Sequence, residues 1–410
     1  MIKKNLQIYK FALYGFLKNL RFFDPFILLF FREVGISFLQ IGLLFSIREI
    51  STNLVEIPSG ILADRFGRKL AMILSFSFYI LSFILFYFFN TLWLYFFAML
   101  IYGFADAFRS GTHKAMIFDY LEANNLADKK IQYYGYTRSW SLFGSAFSSL
   151  IAASIVFYSK SYRPIFLYSI IPYLLNLGLM ISYPNYLNFP KERHNSSYKL
   201  ILNFFGLFKL SQFRKAILNS TIFDGLFKST KDYLQPILVS MVTVFVVFPS
   251  FSEEQNSSML IGIVYFIIFI ISAFSARNAN WFKNLFHNNK AAIDYSFILG
   301  ILFILLSGVL YVVNLQVLSV ILLILMYSLQ NFRRPINVDL ITESIPSKIM
   351  ASGLSAESQL KTVVIAILSP IMGWLADKFG IGFGLIGIAI ILMLISPFAL
   401  VRKKKKLEEL

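Results

Sequence analysis

Runs of about 20 apolar residues recur along this chain from end to end, separated by short polar stretches, and no strand-like alternation of period two competes with them. Each run is long enough for a helix to cross about 30 Å of hydrocarbon. The pattern predicts spans over roughly 9–31, 37–58, 70–89, 92–118, 138–158, 164–184, 218–247, 258–276, 291–313, 316–340, 354–376 and 381–401, twelve helices in all. The longest polar interruption, SYPNYLNFPKERHNSSYKL at 182–200, falls between spans six and seven. It divides the chain into an N-terminal six-helix bundle (1–184), a cytoplasmic linker (185–215) and a C-terminal six-helix bundle (216–410) with a basic tail. Pro25 in FFDPFILLF and Pro236 in DYLQPILVS stand 211 residues apart, as two parallel six-helix repeats would place them. The expected fold class is therefore an all-α polytopic membrane protein of two pseudo-symmetric bundles.

Composition agrees with this pattern. Of 410 residues 57% are hydrophobic and only 14% charged, unlike any ordinary soluble domain. The first apolar run continues to Phe31 without a small-residue cleavage site, so it is expected to be a retained span and not a signal peptide. The net charge of +17 would suggest nucleic acid in a soluble protein. Here it is explained by topology. With both termini cytoplasmic, about 23 Lys and Arg fall in cytoplasmic segments, about 4 in external ones and about 11 within helices. No nucleic-acid partner is needed; anionic lipid is the alternative use of the RKKKK run at 402–406. The expected location is a cell membrane, plasma or bacterial inner. The chain has no cysteine and only three scattered histidines, His113, His194 and His287, which excludes thiolate chemistry and gives no metal cage.

Residues 60–69, GILADRFGRK, carry Gly60, Asp64, Arg65, Gly67, Arg68 and Lys69 between spans two and three. The two glycines suit a tight turn, and Asp64 suits a cation or a helix N-terminus. This stretch resembles the signature G-x-L-a-D-R-x-G-R-K of the major facilitator superfamily, in the corresponding loop. The resemblance covers essentially the whole chain. It implies a transporter whose two bundles rock around a central site, and a cytoplasmic latch in the outward-open state that includes Asp64 and Arg68. Its span-four residues Ser110, Gly111, Thr112, Ala115 and Asp119 resemble a poorly characterised prokaryotic branch.

Charges inside spans are costly and are the default functional candidates. Span one has Arg21 and Asp24 before Pro25. Span four has Asp106, Arg109, His113 and Lys114, the first three within about 60° of one helical face, and Gly103 and Gly111 suit close helix approach. Span seven has Asp224, Lys228, Lys231, Asp232 and Gln235, with Asp224 and Lys228 spaced for an i,i+4 pair. Span ten has Arg333, Arg334 and Asp339; near a helix end, the two arginines could simply snorkel. The resemblance places spans one, four, seven and ten around the cavity. There, cations would grip an anionic or zwitterionic solute and carboxylates such as Asp24, Asp106 and Asp224 would carry protons; mutual neutralisation as buried pairs is the alternative for any single residue.

The expected function is proton-coupled secondary transport of a small organic solute, by a chain acting as a monomer without cofactor or metal. The Arg-x-x-Gln-Gly and Gly-Pro-x-x-Gly-Gly patterns of the superfamily's drug antiporters are missing from spans four and five. Multidrug or toxicant efflux remains the alternative within the superfamily, and a nontransporting solute sensor the alternative outside it. No enzyme is expected, since HExxH and GxxxxGK[ST] are both absent. A second octapeptide, GWLADKFG at 373–380, repeats GILADRFG but lies between spans eleven and twelve, on the external face by the charge count. The latch is therefore expected at Asp64 and not at Asp377.

Overall fold

The computed structural model describes residues 5–126, 129–188, 211–244, 249–286, 288–345 and 350–401. His194, His287, most of the linker and the RKKKK run lie outside the described residues. The described chain is helical throughout: α1 (Leu6–Lys18), α2 (Ile27–Glu33), α3 (Phe38–Phe66), α4 (Arg68–Phe88), α5 (Leu92–Arg109), α6 (Thr112–Ala123), α7 (Lys130–Ser159) and α8 (Pro164–Ile181), then α9 (Ser211–Thr230), α10 (Leu234–Val244), α11 (Glu253–Arg277), α12 (Ala279–Asn284), α13 (Asn289–Val312), α14 (Gln316–Glu343), α15 (Met350–Phe379) and α16 (Ile381–Ala399).

Among the described residues nine helical segments are long and apolar enough to cross a membrane, and they coincide with expected spans three to six and eight to twelve. The other three spans fail that test for physical reasons. Span two lies within α3, whose sequence FLQIGLLFSIREISTNLVEIPSGILADRF carries several charges. Spans one and seven are each broken in two, at residues 19–26 between α1 and α2 and at Lys231–Tyr233 between α9 and α10. The breaks follow from proline. Pro25 and Pro236 lack the N–H that would continue the backbone ladder, and each sits within a few residues of its break. At the first, Asn19 closes α1 by donating from Nδ2 to the Gly15 carbonyl at 2.7 Å. The count is consistent with twelve.

The described residues form two compact units. One gathers those of Met1–Ser37, Leu43–His194 and Leu238–Ile270; the other gathers those of Phe38–Gly42, Asn195–Ile237 and Ile271–Leu410. In lipid the helices gain little from hydrophobic burial, so packing and close approach must hold them. In the first unit aromatic rings supply the packing: Phe166 lies 4.6 Å from Phe30 and 4.9 Å from Phe86, centroid to centroid. Gly103 lets α5 press on Ser51 of α3, where a β-carbon would collide with the serine hydroxyl. Gly111 serves differently. No neighbour approaches it; its φ of +73° instead ends α5 and starts α6.

The repeated octapeptides are not open turns. Gly60 lies inside α3 and is exposed, so only Gly67, at φ +106°, turns the chain into α4. Likewise Gly373 is inside α15 and Gly380, at φ +87°, starts α16. Both octapeptides are therefore the last two turns of a helix followed by a glycine hinge.

Candidate functional site

Three of the four charged spans are interrupted where their charges sit. Lys18 ends α1 and Arg21 and Asp24 occupy the break; Arg109 ends α5 just before Gly111; Lys231 and Asp232 form the break between α9 and α10. In the fourth, Pro335 follows Arg333 and Arg334 inside α14. Irregular backbone at membrane depth is tolerated where protein buries it or water reaches it.

In the first unit the breaks of spans one and four come together. Arg109 Nη2 donates to Asp106 Oδ1 at 2.7 Å, and its Nε donates to the Tyr79 hydroxyl at 3.0 Å. Tyr79, from α4, donates in turn to Asp106. Arg21 lies opposite, its Nη2 3.9 Å from the same carboxylate oxygen. Asp24 lies within electrostatic reach of Arg21. An ionised side chain at mid-bilayer costs about 2.5–3.5 kcal/mol on insertion scales, so Lys18, Arg21, Asp106 and Arg109 together demand roughly 10 kcal/mol of compensation. Pairing meets part of it. Burial is incomplete as well: Arg21, Asp106 and Arg109 each keep about a fifth of the side chain accessible, 22%, 21% and 20%.

His113 sits beside this cluster in an aromatic box. Its ring stacks on Tyr14 at 3.5 Å, meets Phe11 edge-on at 5.5 Å, and its Nε2 is 3.1 Å from the Tyr183 hydroxyl. Lys114 leaves the cluster. It is exposed, and its ammonium lies over the rings of Phe118 and Tyr134 at 5.5 and 5.4 Å.

In the second unit Asp224 of α9 accepts from Gln330 Nε2 at 2.7 Å and pairs with Lys361 Nζ of α15 at 3.4 Å. Glu357, one turn before Lys361, accepts from the Ser220 hydroxyl. Lys231 pairs with its neighbour Asp232, which is buried, as is Gln235; Lys228 is half-buried in the last turn of α9. Arg334 is exposed but within electrostatic reach of Glu357. Arg333 does not snorkel. It is fully buried, donates to the Ile293 carbonyl at 2.6 Å, to Ser296 Oγ at 2.5 Å and to Asn219 Oδ1 at 2.6 Å, and lies 3.9 Å from the Phe223 ring centroid. Asn219 also donates to Asp294, which accepts the Val401 amide, so this arginine belongs to a structural network. Asp339 pairs with Lys283.

Glu357, Lys361, Gln330, Tyr79 and Lys18 were not singled out from the sequence. Glu357 and Lys361 had a readable signal, an i,i+4 charge pair inside an apolar span. Tyr79 had none, being one of 22 tyrosines.

At the signature loop, Arg68 pairs with Asp119 of α6. The Arg68 and Lys69 amides donate to Asn188, to its carbonyl at 2.7 Å and to its Oδ1 at 2.9 Å, so the first turn of α4 is capped from the start of the linker. Asp64 and Arg65 are exposed. The second copy is engaged instead: Asp377 accepts the amides of Phe38 at 2.9 Å and Leu39 at 2.8 Å, capping α3 with both carboxylate oxygens. Beside it, a β-carbon on Gly373 would collide with the Phe38 carbonyl and one on Gly42 with that of Ser369.

The sequence profile described as Major Facilitator Superfamily matches residues 12–360. A stretch of 90 residues, 22% of this chain, is 37% identical to the uncharacterized MFS-type transporter YxaM of Bacillus subtilis (strain 168) and spans 23% of that protein. Among solved structures, the nucleoside transporter NupG superposes with a TM-score of 0.78 at 14% identity, covering 98% of this chain and 100% of that one. A POT family transporter in complex with a thioalcohol-conjugated peptide superposes at 0.68 and 14% identity, covering 96% and 95%. At these identities the likeness to solved structures establishes the fold alone.

Proposed function

The chain belongs to the Major Facilitator Superfamily, and on that premise we propose that it moves a small organic solute across a cell membrane by alternating access, coupled to protons, with an organic anion or zwitterion as the favoured cargo. The observation that carries this reading is the gathering of charged side chains at the breaks of spans one, four and seven. Broken helices in the middle of a span place polar backbone and ionisable groups where a solute and a coupling ion can be held. A purely structural role would favour complete pairing away from water; the Arg21, Asp106 and Arg109 side chains keep about a fifth of their surface accessible.

The same geometry supports the proposed proton coupling. Asp106 and Asp224 are each held against cations, Arg109 and Arg21 in one unit and Lys361 in the other. Protonating either carboxylate removes the attraction and frees its cation for a solute anion.

The test is uptake and efflux of a labelled panel of organic anions, zwitterions, neutral metabolites and cationic drugs in vesicles reconstituted with the protein, with and without an imposed pH gradient. Gradient-dependent movement of an anion or zwitterion is expected, and Asp106→Asn or Asp224→Asn should abolish the gradient dependence. No movement of any compound under either gradient polarity would sink the transport reading.

A further inference from the structure

We propose that the cluster at the breaks of spans one and four is an oxyanion-binding half-site, in which Lys18 and Arg21 take a carboxylate or phosphate group of the solute. That the anion is cargo rests on the transport reading above; that the site binds it does not.

The charge count favours an anion. Lys18 lies within electrostatic reach of Arg21, Arg109 and Asp106, with Arg138 as a further cation, and Asp24 lies near Arg21. Four basic side chains thus stand against two carboxylates. The donor count agrees. Arg109 spends its donors on Asp106 and Tyr79. Arg21 does not: at 3.9 Å its Nη2 is too far from Asp106 to hydrogen-bond, and its Nε is buried without a partner. Among the described residues Lys18 has no hydrogen bond or ion pair from its ammonium.

Lys18 cannot escape to a surface. It ends α1, nine residues or about 14 Å into expected span one at 1.5 Å per residue, near the middle of hydrocarbon about 30 Å thick. Tyr14 and Lys18 follow at i and i+4 on α1, and Tyr14 packs on His113 of α6, so this face of α1 looks onto span four, where Arg21 also faces Asp106. An ammonium and a guanidinium that make no hydrogen bond to Asp106, both beside span four, call for an acceptor with at least two oxygens. A carboxylate or phosphate meets that demand with charge-assisted hydrogen bonds; a neutral or cationic solute does not.

Binding is measured on the purified full-length protein in detergent, by thermal unfolding and equilibrium titration, at fixed ionic strength balanced with chloride. The probes are inorganic phosphate, acetate, succinate and citrate. We expect saturable stabilisation by at least one of them, with the phosphate and carboxylate arms deciding which oxyanion is preferred. Lys18→Met should weaken it about tenfold or more, and Lys18→Arg should stay within about threefold of wild type. Lys18→Gln replaces Lys18→Met if the latter does not fold, and Lys378→Met, an exposed lysine outside the cluster, should bind as wild type. No probe acting beyond the chloride control, or equal binding in wild type, Lys18→Met and Lys18→Gln, would overturn the site. Anion binding without transport of any solute would leave the site standing and remove the transport reading. Transport of neutral or cationic solutes that ignores both oxyanions and Lys18→Met would do the reverse.

Discussion

At the scale of single residues, Asp106 is the group on which the first cluster depends. It accepts from Arg109 and Tyr79 and faces Arg21, so Asp106→Asn removes the only carboxylate that bonds Arg109 directly among the described residues. Breaking a fully buried pair from one side costs about 3–5 kcal/mol. With a fifth of each side chain still accessible, solvent screening brings the expected loss to about 2–3 kcal/mol, read as a lowered unfolding temperature of the purified protein. An unchanged melting temperature would mean that the pair is no more than a surface contact. Asp106, Arg109 and Arg21 were legible in the sequence because an ionisable group inside a span stands out against its apolar neighbours. Lys114 looked equivalent but is not, because the break at Gly111 ends the helical phase that carried it to the same face, and it turns to Phe118 and Tyr134 instead. Tyr79 was illegible for the opposite reason: its hydroxyl matters, but its ring also fits the apolar pattern around it.

At the scale of elements, the two octapeptides show how a repeat can be read correctly as a repeat and wrongly as a turn. Gly60 and Gly373 continue their helices because nothing in the local sequence forces a positive φ there; Gly67 and Gly380 do adopt one and end them. Within the second copy the acid is employed, not idle: both oxygens of Asp377 satisfy amides at the start of α3, two of the four that any helix leaves without an internal partner. Asp377→Ala should cost about 1–2 kcal/mol, and Asp377→Asn, which keeps one acceptor oxygen, less than half of that. Thermal unfolding of the two variants side by side checks this order. Equal losses would assign the effect to charge and not to capping. The breaks at residues 19–26 and 231–233 were legible only as prolines at matching positions. Their extent depends on the turns that follow each interrupted helix, which a hydropathy pattern does not record.

At the scale of the whole molecule, the positive-inside bias predicts an orientation that the chain itself can be used to test. Cytoplasmic termini leave about 23 basic residues inside against about 4 outside, and the reverse orientation would invert that excess against the membrane potential. The chain has no cysteine, so any cysteine introduced is unique and reports a single position. Ser159 and Asn314 are exposed in loops that the count places outside, while Asn124 and Ser182 are exposed in loops that it places inside. All four stand at helix ends, clear of the charged clusters, so substitution should leave the fold intact. A membrane-impermeant maleimide applied to intact cells should therefore label Ser159→Cys and Asn314→Cys and spare Asn124→Cys and Ser182→Cys until the membrane is opened. Labelling in the opposite pattern would invert the topology and place GILADRFG outside. Labelling of all four in intact cells would break the alternation of loops on which the twelve-span count depends.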